Sequence, residues 1–186
     1  HEQAAGFAAD AVSRLGGLGV AIATSGPGAT NLLTAIAASY YDSVPVLYIT
    51  GQVVTFRMAG DSGVRQLGFQ ETPIVEMVRP VTKYAVTVMH KNDVLWHLGY
   101  ALSIARSGRP GPVLVDIPDD IQRQDVENPS AFMPDDPRET YMETLDLSQQ
   151  VMDALYAIRQ ASRPIIVYGW GVHLAGARVA AHNLAL

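Results

Sequence analysis

The sequence predicts an α/β fold, a parallel sheet flanked by helices, followed by the opening of a second α/β domain. Short, continuously apolar runs rich in β-branched residues, such as "GVAIAT" and "PVLYIT", have the pattern of strands covered on both faces. They alternate with segments whose apolar residues recur at helical spacing. Glycine and proline clusters ("GGLG", "SGPG", "SGRPGP") punctuate the boundaries, so strand, turn, helix and strand follow one another as in βαβ units.

In chain order, Ala5, Phe7, Ala8, Ala11, Val12 and Leu15 predict a helix from Glu2 to about Leu15, stopped by the glycines of 16–19. Residues 19–24 read as a buried strand ending in "SGPG". "ATNLLTAIAASYY" carries apolar residues around the whole cylinder and reads as one well-buried helix, and 45–50 as the next strand. Residues 51–70, with Gly51, Gly60, Gly63 and Gly68, form a loop long enough to expect a ligand-facing role. "ETPIVEMV" predicts a short helix, "TKYAVTV" a strand, "KNDVLWHLGYALSIARSG" a helix with Asp93 as N-cap, and "GPVLVDIP" a further buried strand. Parallel sheets of this type bind ligands at the carboxyl ends of their strands.

From about 124 the composition turns polar and proline-rich without an apolar period, as in a linker. A helix in "SQQVMDALYAIRQASRP", a strand in "IIVYG" and a helix in "AGARVAAHNLAL" follow. The expected division is a first domain over 1–125, a linker over 126–146 and the beginning of a second domain over 147–186. The first domain is expected to lack its leading elements, and the second is too short to bury a core alone.

A net charge of −5, with 13 Lys and Arg scattered singly, speaks against a nucleic-acid partner. Cysteine is absent, which removes disulfides and thiolate metal sites and carries the expectation of a cytoplasmic protein. No metal site is expected within the chain. No apolar stretch approaches the roughly 20 residues of a membrane helix, so no membrane partner is expected.

"TSGPGATN" (24–31) stands where a strand hands over to a helix. There, glycine lets backbone approach a ligand closely and leaves N–H groups pointing outward. A Walker loop would end in Gly-Lys-Ser/Thr, and the dinucleotide fingerprint would need glycine where Asn31 stands. A ligand loop and a plain βα turn both stay open on these residues alone. Glu2 by itself reads as an acid in a first helical turn, worth roughly 0.3 to 1 kcal/mol against the helix dipole.

The ordered series "HEQ", "TSGPGATN", "DSVPVLYITGQV", "GFQE" and "SGRPGPVLVDIP" resembles the pyrimidine-binding domain of thiamine diphosphate enzymes of the acetolactate synthase and pyruvate oxidase group. The likeness is strongest to acetolactate synthase large subunits. It covers residues 1–125 well and 147–186 more loosely, where the family's middle domain begins. The resemblance implies that Glu2 hydrogen-bonds N1′ of the cofactor's aminopyrimidine and favours the imino form that deprotonates the thiazolium carbon. Gly26, Pro27, Gly28 and Asn31 match positions lining the pyrimidine. Phe69 and Gln70 match a pair beside the reacting carbon, with the Gln70 amide orienting substrate. Arg109, Gly169 and Gly171 match positions near FAD. Read without the family, Phe69 is a core aromatic, Gln70 a loop surface residue, Arg109 an exposed loop arginine and the two glycines part of an ordinary turn.

The resemblance further implies a 2-keto acid substrate, with two pyruvates giving 2-acetolactate and CO2. It also implies Mg²⁺ held through a separate pyrophosphate-binding domain, FAD in some members, and a homodimer or tetramer. These 186 residues alone are therefore expected to be inactive. Two departures bear on the substrate. The loop "GQVVTFRMAGDSGVRQLGFQE" is longer than the family's and has Val54 in place of proline, and Asp119 stands where lysine is expected. Either Arg57 or Arg65 supplies the missing cation, or the second substrate differs, as in relatives resembling sulfoacetaldehyde acetyltransferase, oxalyl-CoA decarboxylase or polysaccharide-pathway enzymes. A non-catalytic nucleotide-binding α/β module and a structural relative that has lost its chemistry are the competing readings.

Overall fold

The computed structural model describes residues 1–126 and 147–185. They fall in two compact units, His1–Thr144 and Leu145–Leu186, each described by itself.

The first unit is built on a parallel sheet of order β1-β2-β4-β3, with β1 Gly19–Ala23, β2 Val46–Gln52, β3 Tyr84–Thr87 and β4 Val113–Pro118. Period-two alternation sends the even-numbered residues of β2 and β4 to one face and the odd-numbered ones to the other. On the first face Val46, Tyr48 and Leu114 pack with Ala21 and Ala23 of β1, Leu32, Ile36, Ile74 and Val78. Helices α1 (Glu2–Arg14), α3 (Leu33–Tyr41) and α4 (Ile74–Val78) cover it. On the second face Leu47, Val113 and Val115 pack with Ala101 and Ala105 of α5 (Val94–Arg106). Both faces are buried over β2 and β4, which is why those strands read as unbroken apolar runs.

Helix α1 approaches both neighbours closely because glycine stands at the contacts. A Cβ on Gly6 would lie 2.6 Å from Ala35 Cβ of α3, and one on Gly19 would lie 1.8 Å from the Ala9 carbonyl oxygen. Between α1, α3 and β2 runs a buried polar thread. Ser39 Oγ donates to Asp10 Oδ2 at 2.8 Å and meets Tyr48 Oη at 3.1 Å, and Arg14 Nε donates to Asp10 Oδ1 at 2.5 Å. Burial raises the Tyr48 hydroxyl to about 12, so it stays a neutral phenol.

Several sequence expectations are corrected. The helix expected over 29–41 is two, α2 (Pro27–Asn31) and α3, because Leu32 N–H reaches back three residues to Ala29 O (3.1 Å) and tightens the turn between them. Asp93 precedes α5 but makes no side-chain capping bond, since its backbone is already helical rather than extended (φ −88°, ψ −11°). The long loop after β2 contains 3₁₀ turns at Thr55–Arg57 and Gly60–Ser62. A short helix α6 (Asp119–Gln122) follows β4 directly.

In the second unit, α7 (Ser148–Gln160), α8 (Gly171–Leu174) and α9 (Arg178–Ala185) are helical. "IIVYG" (165–169) is not a strand. Ile165 and Val167 are 88% and 87% exposed, and the described residues of this unit provide no neighbouring strand to complete a ladder. The linker expected over 126–146 lies, apart from Val126, outside the described residues.

Candidate functional site

Helix α1 runs back along β1, so its first residue pair stands at the carboxyl end of the sheet, beside the turn that follows β1. His1 is its N-cap, with Nδ1 accepting from Gln3 N–H at 3.3 Å. Glu2, half-buried, accepts from Asn31 Nδ2 at 3.0 Å through Oε2. The Asn31 bond first, and then its own backbone N–H, hold the Glu2 carboxyl below the usual glutamate range. An ionised carboxylate is an acceptor for a protonated nitrogen.

A Cβ on Gly28 would lie 2.7 Å from Thr24 Cγ2 and 3.6 Å from Glu2 Oε1, so glycine lets the end of β1 pack against the turn beside Glu2. Pro27 is exposed at the first position of α2, where its missing N–H is no loss. Gly26 sits at φ 62°, ψ −122°, a conformation open only to glycine, and a Cβ there would lie 2.7 Å from Gln70 Cβ and 2.8 Å from Gln70 O. Gln70 itself has a positive φ of 63°. Gly26 is thus the point at which the turn and the long loop touch.

Phe69 is 85% exposed, which removes its reading as a core aromatic. It lines an open cavity of about 760 Å³ together with Thr24, Ser25, Val53, Arg57 and Asp119. Glu2, Asn31 and Gln70 stand outside that lining, and Thr24 is the residue common to the cavity and the Glu2 corner. Asp119 is held by Arg123 in a two-pronged pair, 2.9 Å on each prong.

Arg109 is exposed and donates from Nε to Ser43 Oγ at 2.7 Å. Ser43 precedes β2 and Arg109 precedes β4, so this pair marks the opposite end of the strands from Glu2. Gly171 opens α8 in the second unit, and a Cβ on either Gly169 or Gly171 would meet nothing within 4 Å.

Sequence reading missed a buried carboxyl at the same edge of the sheet. Asp116 of β4 is fully buried and accepts from its register partners Thr50 (2.7 Å) and Thr87 (3.1 Å) and from Gln52 Nε2 (3.1 Å). Burial raises its pKa to about 6, against the opposing pull of those donors. The available signal was one acid inside the apolar strand "VLVDIP". Two further acids organise the long loop. Glu71 accepts from the backbone N–H groups of Ala59 (2.5 Å), Leu67 (2.8 Å) and Gly68 (3.4 Å), while Asp120 accepts from Thr55 N (2.9 Å) and Oγ1 (2.6 Å). Among the described residues no group of three or more His, Asp or Glu side chains could hold a metal ion, and no helix is long and apolar enough to cross a membrane.

Residues 1–77 match a family model described as the thiamine pyrophosphate enzyme N-terminal TPP binding domain. Over 95% of its length the chain is similar to a chloroplastic acetolactate synthase 2 of Zea mays (41% identical) and to an acetolactate synthase of Arthrospira platensis (40%). Over 67% of its length it is 52% identical to a chloroplastic acetolactate synthase 2 of Nicotiana tabacum. It spans 27%, 30% and 18% of those relatives.

Proposed function

The chain belongs to the thiamine pyrophosphate enzymes, whose N-terminal binding domain it carries in acetolactate synthase-like form, and from that premise we propose what the whole protein does. It decarboxylates a 2-keto acid and joins the remaining acyl unit to a second carbonyl compound, two pyruvates giving 2-acetolactate and CO2. The observation that carries this reading is the Glu2–Asn31 pair beside the glycine turn that follows β1.

Thiamine diphosphate, when bound, supplies the carbon nucleophile and the electron sink. The residues of this chain fit its aminopyrimidine: an ionised acceptor and an amide that fixes that acceptor, set beside a glycine turn at the carboxyl end of β1. Glu2 would share a proton with the ring nitrogen, its carboxylate accepting the hydrogen bond once that nitrogen is protonated. Asn31 holds Glu2 through Nδ2 and, with a second N–H and a carbonyl oxygen, would also line the ring. Gln70 stands against Gly26, where its amide would orient the substrate, and the exposed Phe69 would supply an apolar wall of the cavity.

With Asp119 tied to Arg123, Arg57 is the cation of the cavity lining that attracts a keto acid carboxylate. We place Mg²⁺ on residues outside this chain, with the cofactor's diphosphate, and the working form as a dimer or larger oligomer in the cytoplasm. FAD, where present, meets Arg109 at the far end of the strands. Glu2→Gln in the full-length protein tests the proposal, because the amide cannot exchange a proton with the ring nitrogen. Turnover of pyruvate should fall by about 10² to 10⁴ with the fold retained. Full turnover in a folded Glu2→Gln protein would exclude it.

A further inference from the structure

The long loop that carries Phe69 and Gln70 leaves the sheet at Val53 and ends at Thr72, just before α4. Both ends meet one side chain. Gln52 Oε1 accepts from Val53 N–H at 3.0 Å, and Gln52 Nε2 donates both to Thr72 O at 2.8 Å and to Asp116 Oδ2 at 3.1 Å. Gln52 is itself buried, and Thr50, Gln52, Asp116 and Thr87 all lie on the same face of the sheet. We propose that Asp116 is a positioning residue: by accepting from Gln52 it fixes the amide that clasps both ends of the loop, and so sets where Phe69 and Gln70 stand.

The chemistry is a matter of polarity. A side-chain amide can be turned either way. Val53 N–H and Thr72 O favour one orientation, and the carboxylate reinforces it. It offers only acceptors, so the Nε2 side of Gln52 faces Asp116, the second Nε2 proton reaches Thr72 O, and Oε1 is left for Val53 N–H. An asparagine at 116 has nearly the same shape but can present a donor. If Gln52 turned to meet that donor, Oε1 would face Thr72 O and Nε2 would face Val53 N–H. Two matched contacts would become two clashes of like polarity at the mouths of the loop. The third donor, Thr87, contacts Asp116 without leading to the loop, and separates holding the sheet from holding the loop.

This inference rests on the function proposed above only for its kinetic arm. In the full-length holoenzyme, Asp116→Asn should lower kcat on the order of 10-fold to 100-fold, because small misplacements of positioned groups have effects of that size. Thiamine diphosphate affinity should stay within about twofold, since Glu2 and Asn31 are untouched. Gln52→Ala should lower kcat comparably, and the double variant no further, as for two members of one thread. Thr87→Val should reduce thermal stability and leave kcat alone.

The second arm needs no activity. Hydrogen exchange at Val53, Ala59, Leu67 and Gly68 should accelerate at least about tenfold in Asp116→Asn and not in Thr87→Val, with β1 amides unchanged in both. Additive kinetic effects, an equal loss of kcat in Thr87→Val, or unchanged loop exchange in a folded Asp116→Asn protein would overturn the proposal. If Glu2→Gln left turnover intact while loop exchange responded as stated, the function would be wrong and the positioning thread right.

Discussion

Two corners of one sheet edge use carboxylates in opposite ways. At the first corner Glu2 has one side-chain donor, Asn31, and lies next to glycine. At the second, Asp116 takes three side-chain donors, Glu71 three backbone N–H groups and Asp120 two groups of Thr55. A carboxylate whose lone pairs are filled by the protein is a fastener. One with a single side-chain donor, set at a glycine turn, has capacity for a ligand. The contrast separates the acid proposed to do chemistry from the acids that hold its neighbours.

The largest effect expected from this contrast is kinetic. Glu2→Gln should reduce turnover by about 10² to 10⁴ with little change in melting temperature, because its single side-chain bond with Asn31 lies near the surface. A melting temperature that fell as far as the activity would erase the distinction between the corners.

The next effect is on stability and reverses the usual acid response. Asp116 titrates at about 6 in the folded protein instead of at 3.8, with Glu76 of α4 adding to the rise that burial causes. Between those values the folded state holds the extra proton, so the contribution of this group to stability grows as pH falls from 7 toward 4. For Glu2, Glu71 and Asp120, whose pKa values are lowered, the contribution is instead present near neutrality and lost on acidification. The stability of the full-length protein minus that of its Asp116→Asn variant should therefore increase by about 2 to 3 kcal/mol from pH 7 to pH 4, following 1.36 kcal/mol per pKa unit. Chemical denaturation at the two pH values measures it, and a flat difference would show that Asp116 is no more burdened by burial than Glu71.

Gly26→Ala joins the two corners. The position has φ 62° and ψ −122°, and the added methyl would meet Gln70 at 2.7 Å. A side chain in such a glycine-only conformation costs about 1 to 3 kcal/mol, and the contact pushes Gln70 away from the turn. Denaturation should show the loss, and kcat should fall with it. A variant as stable and active as the original would mean that turn and loop act separately.

How much of this was legible in the sequence follows from the same contrast. The strands and α1 were readable because apolar periodicity and glycine stops are local signals, and Glu2, Gly26, Gly28 and Gln70 were picked out through an ordered set of motifs. Asp116 was not, since in sequence it is one acid in an apolar strand. Its meaning comes from Thr50 and Thr87, 66 and 29 residues away, brought opposite it by strand register. "IIVYG" failed for the converse reason: its composition suits a strand, but a strand also needs a partner. The pinch at Leu32 turns on a single backbone bond that periodicity does not register.

The smallest effect concerns the outer fastener. Thr55→Ala removes the hydroxyl bond to Asp120 (2.6 Å) and leaves the backbone bond from Thr55 N to the other oxygen (2.9 Å). One hydrogen bond is worth about 0.5 to 1.5 kcal/mol net, and this partly exposed one should fall at the low end, a shift of a degree or two in melting temperature. Because the bond fastens the first 3₁₀ turn of the loop and not its mouth at Gln52, kcat should hold while Asp116→Asn loses it. If Thr55→Ala slowed turnover as much as Asp116→Asn, the loop would be a single rigid piece sensitive at every fastener, and Gln52 would lose its special place at the two ends.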